Sequence, residues 1–188
     1  MVIFDFDKTL TNKDTLFGFY SEVDGTNPLF PIKRLGLILT AVIHKVGIIS
    51  NTQLKSVGVF LFLRNKNRNE ILEKANEYAE TIKLNSIYND HFLREPKANR
   101  MVISGSLEIY LRPLFHGERI IGTTLSYKND KVVGLKRNMF GKQKVEALYS
   151  DEIYNIERLY TDSYSDRFLM EISDKVEFVK KNKIIINK

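Results

Sequence analysis

The sequence contains no cysteine. That excludes a disulfide framework, a thiolate metal site and a thiol nucleophile, and it fits a reducing compartment. No uninterrupted apolar run approaches the ~18 residues needed to span a bilayer. The N-terminus lacks a basic start followed by an apolar core and a small-residue cleavage site, so no signal peptide is expected. Internal repeats and low-complexity segments are also missing. Together these absences lead us to expect a globular, cytoplasmic protein.

What is present is ordinary in bulk. The chain has 188 residues, 43% hydrophobic and 28% charged, enough for one domain or for one domain with an insertion. It carries 29 basic and 23 acidic residues, a formal net charge of +6. A positive balance favours anionic partners such as phosphorylated metabolites, lipid headgroups or nucleic acid. Taken alone it is also plain solubility.

The informative stretch is at the start. Val2, Ile3 and Phe4 form a short β-branched and aromatic run that predicts a buried strand. Asp5 and Asp7 follow two residues apart. On an extended backbone that spacing points both carboxylates to one side. They then share the carboxyl end of a strand, where open α/β sheets bind ligands. Like charges that close raise each other's pKa, and a hard divalent cation such as Mg²⁺ relieves this. One of the pair could also act as a nucleophile.

Further along, the pattern turns helical. Asp14 and Thr15 can cap a helix through Leu16, Phe17, Phe19 and Tyr20. Gly25 to Pro28 is a break. Leu29 to Ile49 is rich in apolar residues and bracketed by Lys33, Arg34, His44 and Lys45. Basic flanks admit a helix lying on a membrane surface, but a buried helix of a small domain is the expectation. Asn51 to Gln53 opens another helix, and Glu70 to about Ile87 reads as an amphipathic one.

The pattern then returns to α/β. Arg100 to Ile103 predicts a strand that ends in Ser104-Gly105-Ser106 and passes directly into a helix. Such a junction offers free N–H groups and a positive dipole end to an anion. Arg119 to Gly122 predicts another strand, followed by a hairpin of Thr123–Tyr127 and Val132–Leu135 around Lys128–Lys131. Ile156 to Tyr160 predicts a last strong strand, ahead of Asp162 and Asp166. Val176 to Val179 is expected as an edge strand, and Lys180 to Lys188 as a final strand or a tail.

Asp5-Phe6-Asp7-Lys8-Thr9 after an apolar strand resembles the first signature of the haloacid dehalogenase superfamily, closest to its phosphoserine-phosphatase-like branch. Three further stretches resemble its other signatures in order: Ser104 closing a strand, Lys144 near a helix start, and the pair Asp162 and Asp166. Lys142 competes with Lys144; spacing to Val145 and Leu148 favours Lys144. Thr161 stands where the family usually has Gly, and Lys8 where relatives often have Gly or Ser.

The resemblance implies a Rossmann-like α/β core, three-layered with a mostly parallel sheet, over residues 1–12 and 86–188. It implies an inserted all-helical cap over 13–85. It also implies roles: Asp5 the nucleophile, Asp7 the general acid and base, and Ser104, Gly105 and Lys144 the phosphate-binding groups. Asp5, the Asp7 carbonyl and Asp162 would hold Mg²⁺, with Thr9 and Asp166 in support. Asp14 is a candidate specificity residue, or simply a helix cap.

The function so implied is Mg²⁺-dependent hydrolysis of a small phosphorylated substrate through an aspartyl phosphate. Phosphoserine is one candidate, although no Arg stands near Lys55 and Ser56 to meet its carboxylate. A phosphatidylglycerophosphate-type lipid is another, with peripheral membrane contact through the cap. The competing class is a non-enzymatic anion- or RNA-binding protein on the same scaffold; nucleic acid is not the expected partner.

Overall fold

The structure is a computed structural model that describes residues 1–187. Its centre is a seven-stranded sheet in the order β4-β3-β2-β1-β5-β6-β7. The strands are β1 (Val2–Phe4), β2 (Arg100–Leu107), β3 (Ile120–Lys128), β4 (Lys131–Arg137), β5 (Arg158–Thr161), β6 (Val176–Lys180) and β7 (Lys183–Asn187). From β3 through β2, β1 and β5 to β6, every pairing is parallel. Only β4 and β7 run antiparallel to their neighbours. This is the expected α/β class.

Alternation along the strands splits the core in two, because successive side chains point to opposite faces. Val2, Phe4 and Val102 join one apolar cluster, and Ile3, Met101 and Ile103 the other. The second cluster is covered by α6 (Lys142–Ser150) and α7 (Arg167–Met170), through Ala147, Leu148 and Leu169. The first is covered by α5 (Glu108–Leu114) and by the helices between β1 and β2.

Those helices are α1 (Leu16–Asp24), α2 (Phe30–Lys45), α3 (Asn51–Phe62) and α4 (Arg68–Thr81). Ser50 and Gln53 form a reciprocal capping box at the start of α3, which satisfies two otherwise orphaned N–H groups. Val59, Phe62, Ile71 and Ala75 share their cluster with Phe4 and Phe6 of the sheet layer. The segment between β1 and β2 is tied to the rest of the chain at several places. Asn85 donates through Nδ2 to Thr9 O at 2.9 Å and Thr11 O at 3.1 Å. At the β3–β4 hairpin, Arg68 N–H donates to Asp130 O at 2.7 Å. Asn129 and Asp130 turn that hairpin with positive φ, as a tight two-residue turn requires.

Several expectations are corrected. The segment Leu29 to Ile49 is not a buried helix: no residue of α2 is buried. Ile32 is 69% exposed, Leu39 56% and Val46 66%. Its apolar composition reads as core, but only a narrow inner side, with Phe30 and Leu37, meets the cluster.

Arg119–Gly122 and the first hairpin arm are one continuous strand, β3. Its first half pairs with β2 and its second half with β4. Ser104-Gly105-Ser106 lies inside β2 as a register shift against β3 rather than at a helix start. The expected dipole contribution is therefore displaced, since α5 begins only at Glu108. α4 stops at Thr81, because Ile82 turns extended and Leu84 bridges back to Thr11. β6 is interior and β7 is the edge strand. Lys188, the last residue of the expected final strand, lies outside the described residues.

Candidate active site

The chain leaves β1 through a tight loop. The N–H of Leu10 donates to Phe6 O at 2.8 Å, and Lys8 adopts φ 59°. That left-handed conformation costs a non-glycine residue roughly 1–2 kcal/mol. It accounts for the Lys8 position being one where Gly is at ease. The loop turns Asp7 and Lys8 into a cleft of about 180 Å³ that they share with Asp5, Ser104, Gly105, Lys144 and Asp162. Asp14 lies at its rim, exposed, accepting from Leu16 N–H at 3.2 Å.

Asp5 is buried at the end of β1, where its N–H still donates to Tyr160 O. Its carboxylate faces Lys144 Nζ at 3.0 Å, and Lys144 reaches Asp166 Oδ1 at 2.7 Å. Lys144 is brought there by α6, which starts after Gly141 with φ 59°. A side chain at 141 would be strained in that conformation. Lys142, the competitor, instead lies over the Phe168 ring at 5.3 Å.

Burial pushes Asp5 up to about 7; Lys144 opposes this, while Asp166 and Asp162 add to it. For Lys144, burial alone would favour the neutral amine, but Asp5 and Asp166 outweigh it and hold its pKa well above the ordinary lysine value. Asp162 is also raised, by burial and then by Asp166, against the pull of Lys8 and Lys144.

Asp7 sits in a different environment. Its Oδ1 accepts from Thr15 N–H at 2.9 Å and Thr15 Oγ1 at 2.7 Å. Its Oδ2 accepts from Ser106 Oγ at 2.5 Å. Tyr110 Oη lies 3.0 Å from Thr15 Oγ1 and supports it. Burial and the neighbouring Asp14 raise Asp7 to about 6, with the Ser106 and Thr15 bonds moderating the shift. An acid tuned near neutrality suits proton transfer in either direction.

Two predicted residues stand behind the cleft. Asp166 is buried, with its Oδ2 accepting from Thr161 Oγ1 at 2.9 Å. Thr161, in the usual glycine position, thus orients the second acid. Thr9 is buried and its hydroxyl has no partner among the described residues, while its carbonyl is held by Asn85.

Three contributors do not stand out in the chain as site residues. Thr15 is close to Asp7 in sequence but reads as a helix cap, and Ser106, far from Asp7, reads as a turn. Lys55 is the third. From α3 its Nζ donates to Gly105 O and Asn138 Oδ1, each at 2.5 Å. The detectable hint was one lysine inside an otherwise apolar helical run.

The residues present suit a divalent cation. Among the described residues, no three acid or histidine side chains converge as a ready-made cage. Yet Asp5 and Asp162 are both shifted toward the protonated form by burial and by other acids. Two carboxylates with a backbone carbonyl is a donor set that Mg²⁺ accepts, since it keeps several waters.

A parallel sheet that gathers acids, a buried lysine and a serine hydroxyl at its carboxyl edge is the layout of an α/β enzyme. Family comparison makes the class specific: the chain belongs to the haloacid dehalogenase-like hydrolases, whose family model matches residues 2–171.

Solved structures agree on the fold. A Bordetella pertussis Tohama I protein of unknown function is similar with a TM-score of 0.70 at 15% identity, over 91% of this chain and 85% of that one. A phosphoserine phosphohydrolase-like protein from Francisella tularensis subsp. tularensis SCHU S4 gives 0.66 at 19%, over 93% and 84%. Phosphoserine phosphatase from T. onnurineus gives 0.58 at 18%, over 94% and 81%. No curated protein matches the chain.

Proposed function

We propose that the protein is a Mg²⁺-dependent phosphomonoester hydrolase that works through an aspartyl phosphate on Asp5. The observation that carries this reading is the unequal pair of aspartates. Asp5 faces a lysine, whereas Asp7 is held by two hydroxyls and an N–H and lies near neutrality. One is placed as a nucleophile and the other as a proton carrier.

In this reading Lys144, the Ser104 hydroxyl and the Gly105 N–H hold the phosphate oxygens. Such charge neutralisation is most of what phosphoryl transfer needs. An Asp5 oxygen attacks phosphorus and the ester P–O bond breaks. Asp7 gives its proton to the leaving oxygen. Deprotonated Asp7 then takes a proton from water, whose oxygen attacks the phosphorus. The Asp5 O–P bond breaks, phosphate leaves, and both aspartates return to their starting states. Asp5, Asp162 and the Asp7 carbonyl would hold Mg²⁺, which when bound supplies the positive charge that keeps the carboxylates ionised.

Phosphoserine is named in several of the similar structures, but the surroundings of Asp7 favour an alcohol with apolar character. A vestibule of about 300 Å³ beside Asp7 and Asp14 is walled by Leu16, Phe17, Tyr20, Leu37, Leu54 and Phe140. Among the described residues the only cation in that wall, Lys55, is already engaged by Gly105 and Asn138. A lipid-type phosphomonoester therefore ranks above phosphoserine.

The test is phosphate release from phosphoserine, sugar phosphates, nucleotides and a lysophospholipid phosphate, with Mg²⁺ and with chelator. Metal-dependent release that falls at least about a thousandfold in Asp5→Asn is the expected result. Release that survives this substitution removes Asp5 as nucleophile. No release from any substrate, with salt-sensitive RNA binding in a gel shift, would favour the non-enzymatic alternative.

A further inference from the structure

The outer face of α2 is unpartnered. Projected at 100° per residue, Ile38, Val42, Leu35, Val46, Leu39, Ile32 and Ile43 fall in one arc of about 140°. All seven are among the exposed large hydrophobics. A surface helix ordinarily turns such a stripe inward; here the stripe faces out.

Its rim is charged in one sense only. Arg34 and Lys45 fall side by side at one edge of the arc, and both are exposed. Lys33, on the inner side, is neutralised by Asp24 at 2.7 Å. No acidic residue occurs between Asp24 and Glu70, while Arg34, Lys45, Arg64 and Arg68 all lie exposed in that span. A protein partner would ordinarily be met with charges of both signs. An apolar stripe with a purely basic border matches the boundary between anionic headgroups and acyl chains. At 16 residues the helix is about 24 Å long. It is too short to cross the ~30 Å hydrocarbon core, so it lies along the interface. The same helix contributes Leu37 and Ala41 to the vestibule beside Asp7.

We infer that α2 docks the protein on an anionic lipid leaflet, with the Ile32–Val46 stripe inserted at the headgroup level and Arg34 and Lys45 among the lipid phosphates. The inference rests on the surface of α2 and not on the chemistry at Asp5.

Co-sedimentation with vesicles tests it. The full chain should pellet with phosphatidylcholine vesicles containing phosphatidylglycerol and weakly with phosphatidylcholine alone. Leu35→Glu combined with Leu39→Glu should lower the affinity roughly a hundredfold. Arg34→Gln combined with Lys45→Gln should lower it about twenty-five-fold on anionic vesicles, near fivefold per cation, and hardly at all on neutral ones. All four sites are exposed, so thermal melts should show both variants folded. Asp5→Asn should bind as the parent does, which separates docking from turnover. A chain that stays in the supernatant with anionic vesicles overturns the inference. So does a leucine variant that pellets like the parent, or self-association, seen by light scattering, that the leucine variant abolishes while vesicles bind neither form.

Discussion

At the carboxyl end of β1, Asp5, Lys144 and Asp166 are charged and buried; on the outer side of α2, Ile32, Leu39 and Val46 are apolar and exposed. Both regions reverse the usual assignment of residue to environment, in opposite directions. The buried charges are tolerated because each touches an opposite one, and removing a partner strands the rest. The exposed hydrocarbon touches nothing that substitution would strand. Stability should therefore be sensitive at the first region and indifferent at the second, whereas binding should show the reverse.

The sharpest way to break that comparison is Lys144→Met. It leaves Asp5 and Asp166 buried without a cation, and urea unfolding should show a loss of about 3–5 kcal/mol. A loss under 1 kcal/mol would mean that the carboxylates are not held ionised by Lys144.

Lys55 offers a test by pH. Burial, and then Lys144, lower its pKa from 10.5 to about 8. Below about 8 both folded and unfolded states carry the charge, and folding bears the full penalty of burying it. Between about 8 and 10.5 the unfolded chain binds more protons, so stability rises with pH. Relative to Lys55→Met, the parent should gain stability in that window. Parallel urea midpoints at pH 7 and 10 would contradict the shift.

Within the insertion, Gly58 faces Tyr20 so closely that a Cβ would fall 2.6 Å from its Oη. Gly58→Ala should cost about 1–3 kcal/mol through forced repacking, read as a lowered melting temperature. The smallest effect belongs to the exposed stripe. Ile38→Asn or Val42→Ser should change stability by no more than about 0.5 kcal/mol. A larger loss would show that the face is covered in solution.

What was legible in the sequence followed locality. The strand Val2–Phe4 and the spacing of Asp5 and Asp7 are statements about adjacent residues, and they located the cleft. Lys144 was singled out from its position near a helix start, again a local cue. Ser106, Asn138 and Lys55 escaped because their partners lie tens of residues away, and Thr15, only eight residues from Asp7, escaped because it reads as a helix cap. The misreading of α2 has a different cause. Apolar composition says that a face avoids water, but it does not name what covers that face. β3 was split in two because its halves have different neighbours, and neighbours are not written along a strand.

Thr15 has a mechanical meaning. It stands immediately before α1, accepts from Tyr78 Oη through its own carbonyl at 2.7 Å, and grips Asp7 Oδ1 with both its N–H and its hydroxyl. The first helix after β1 is thereby wired to Asp7. Were that helix to swing away from the sheet, Asp7 would lose two of its three donors at once, together with the burial and the Asp14 neighbour that raise its pKa. The position of α1 and the surroundings of the acid are settings of a single lever, with Thr15 as its fulcrum.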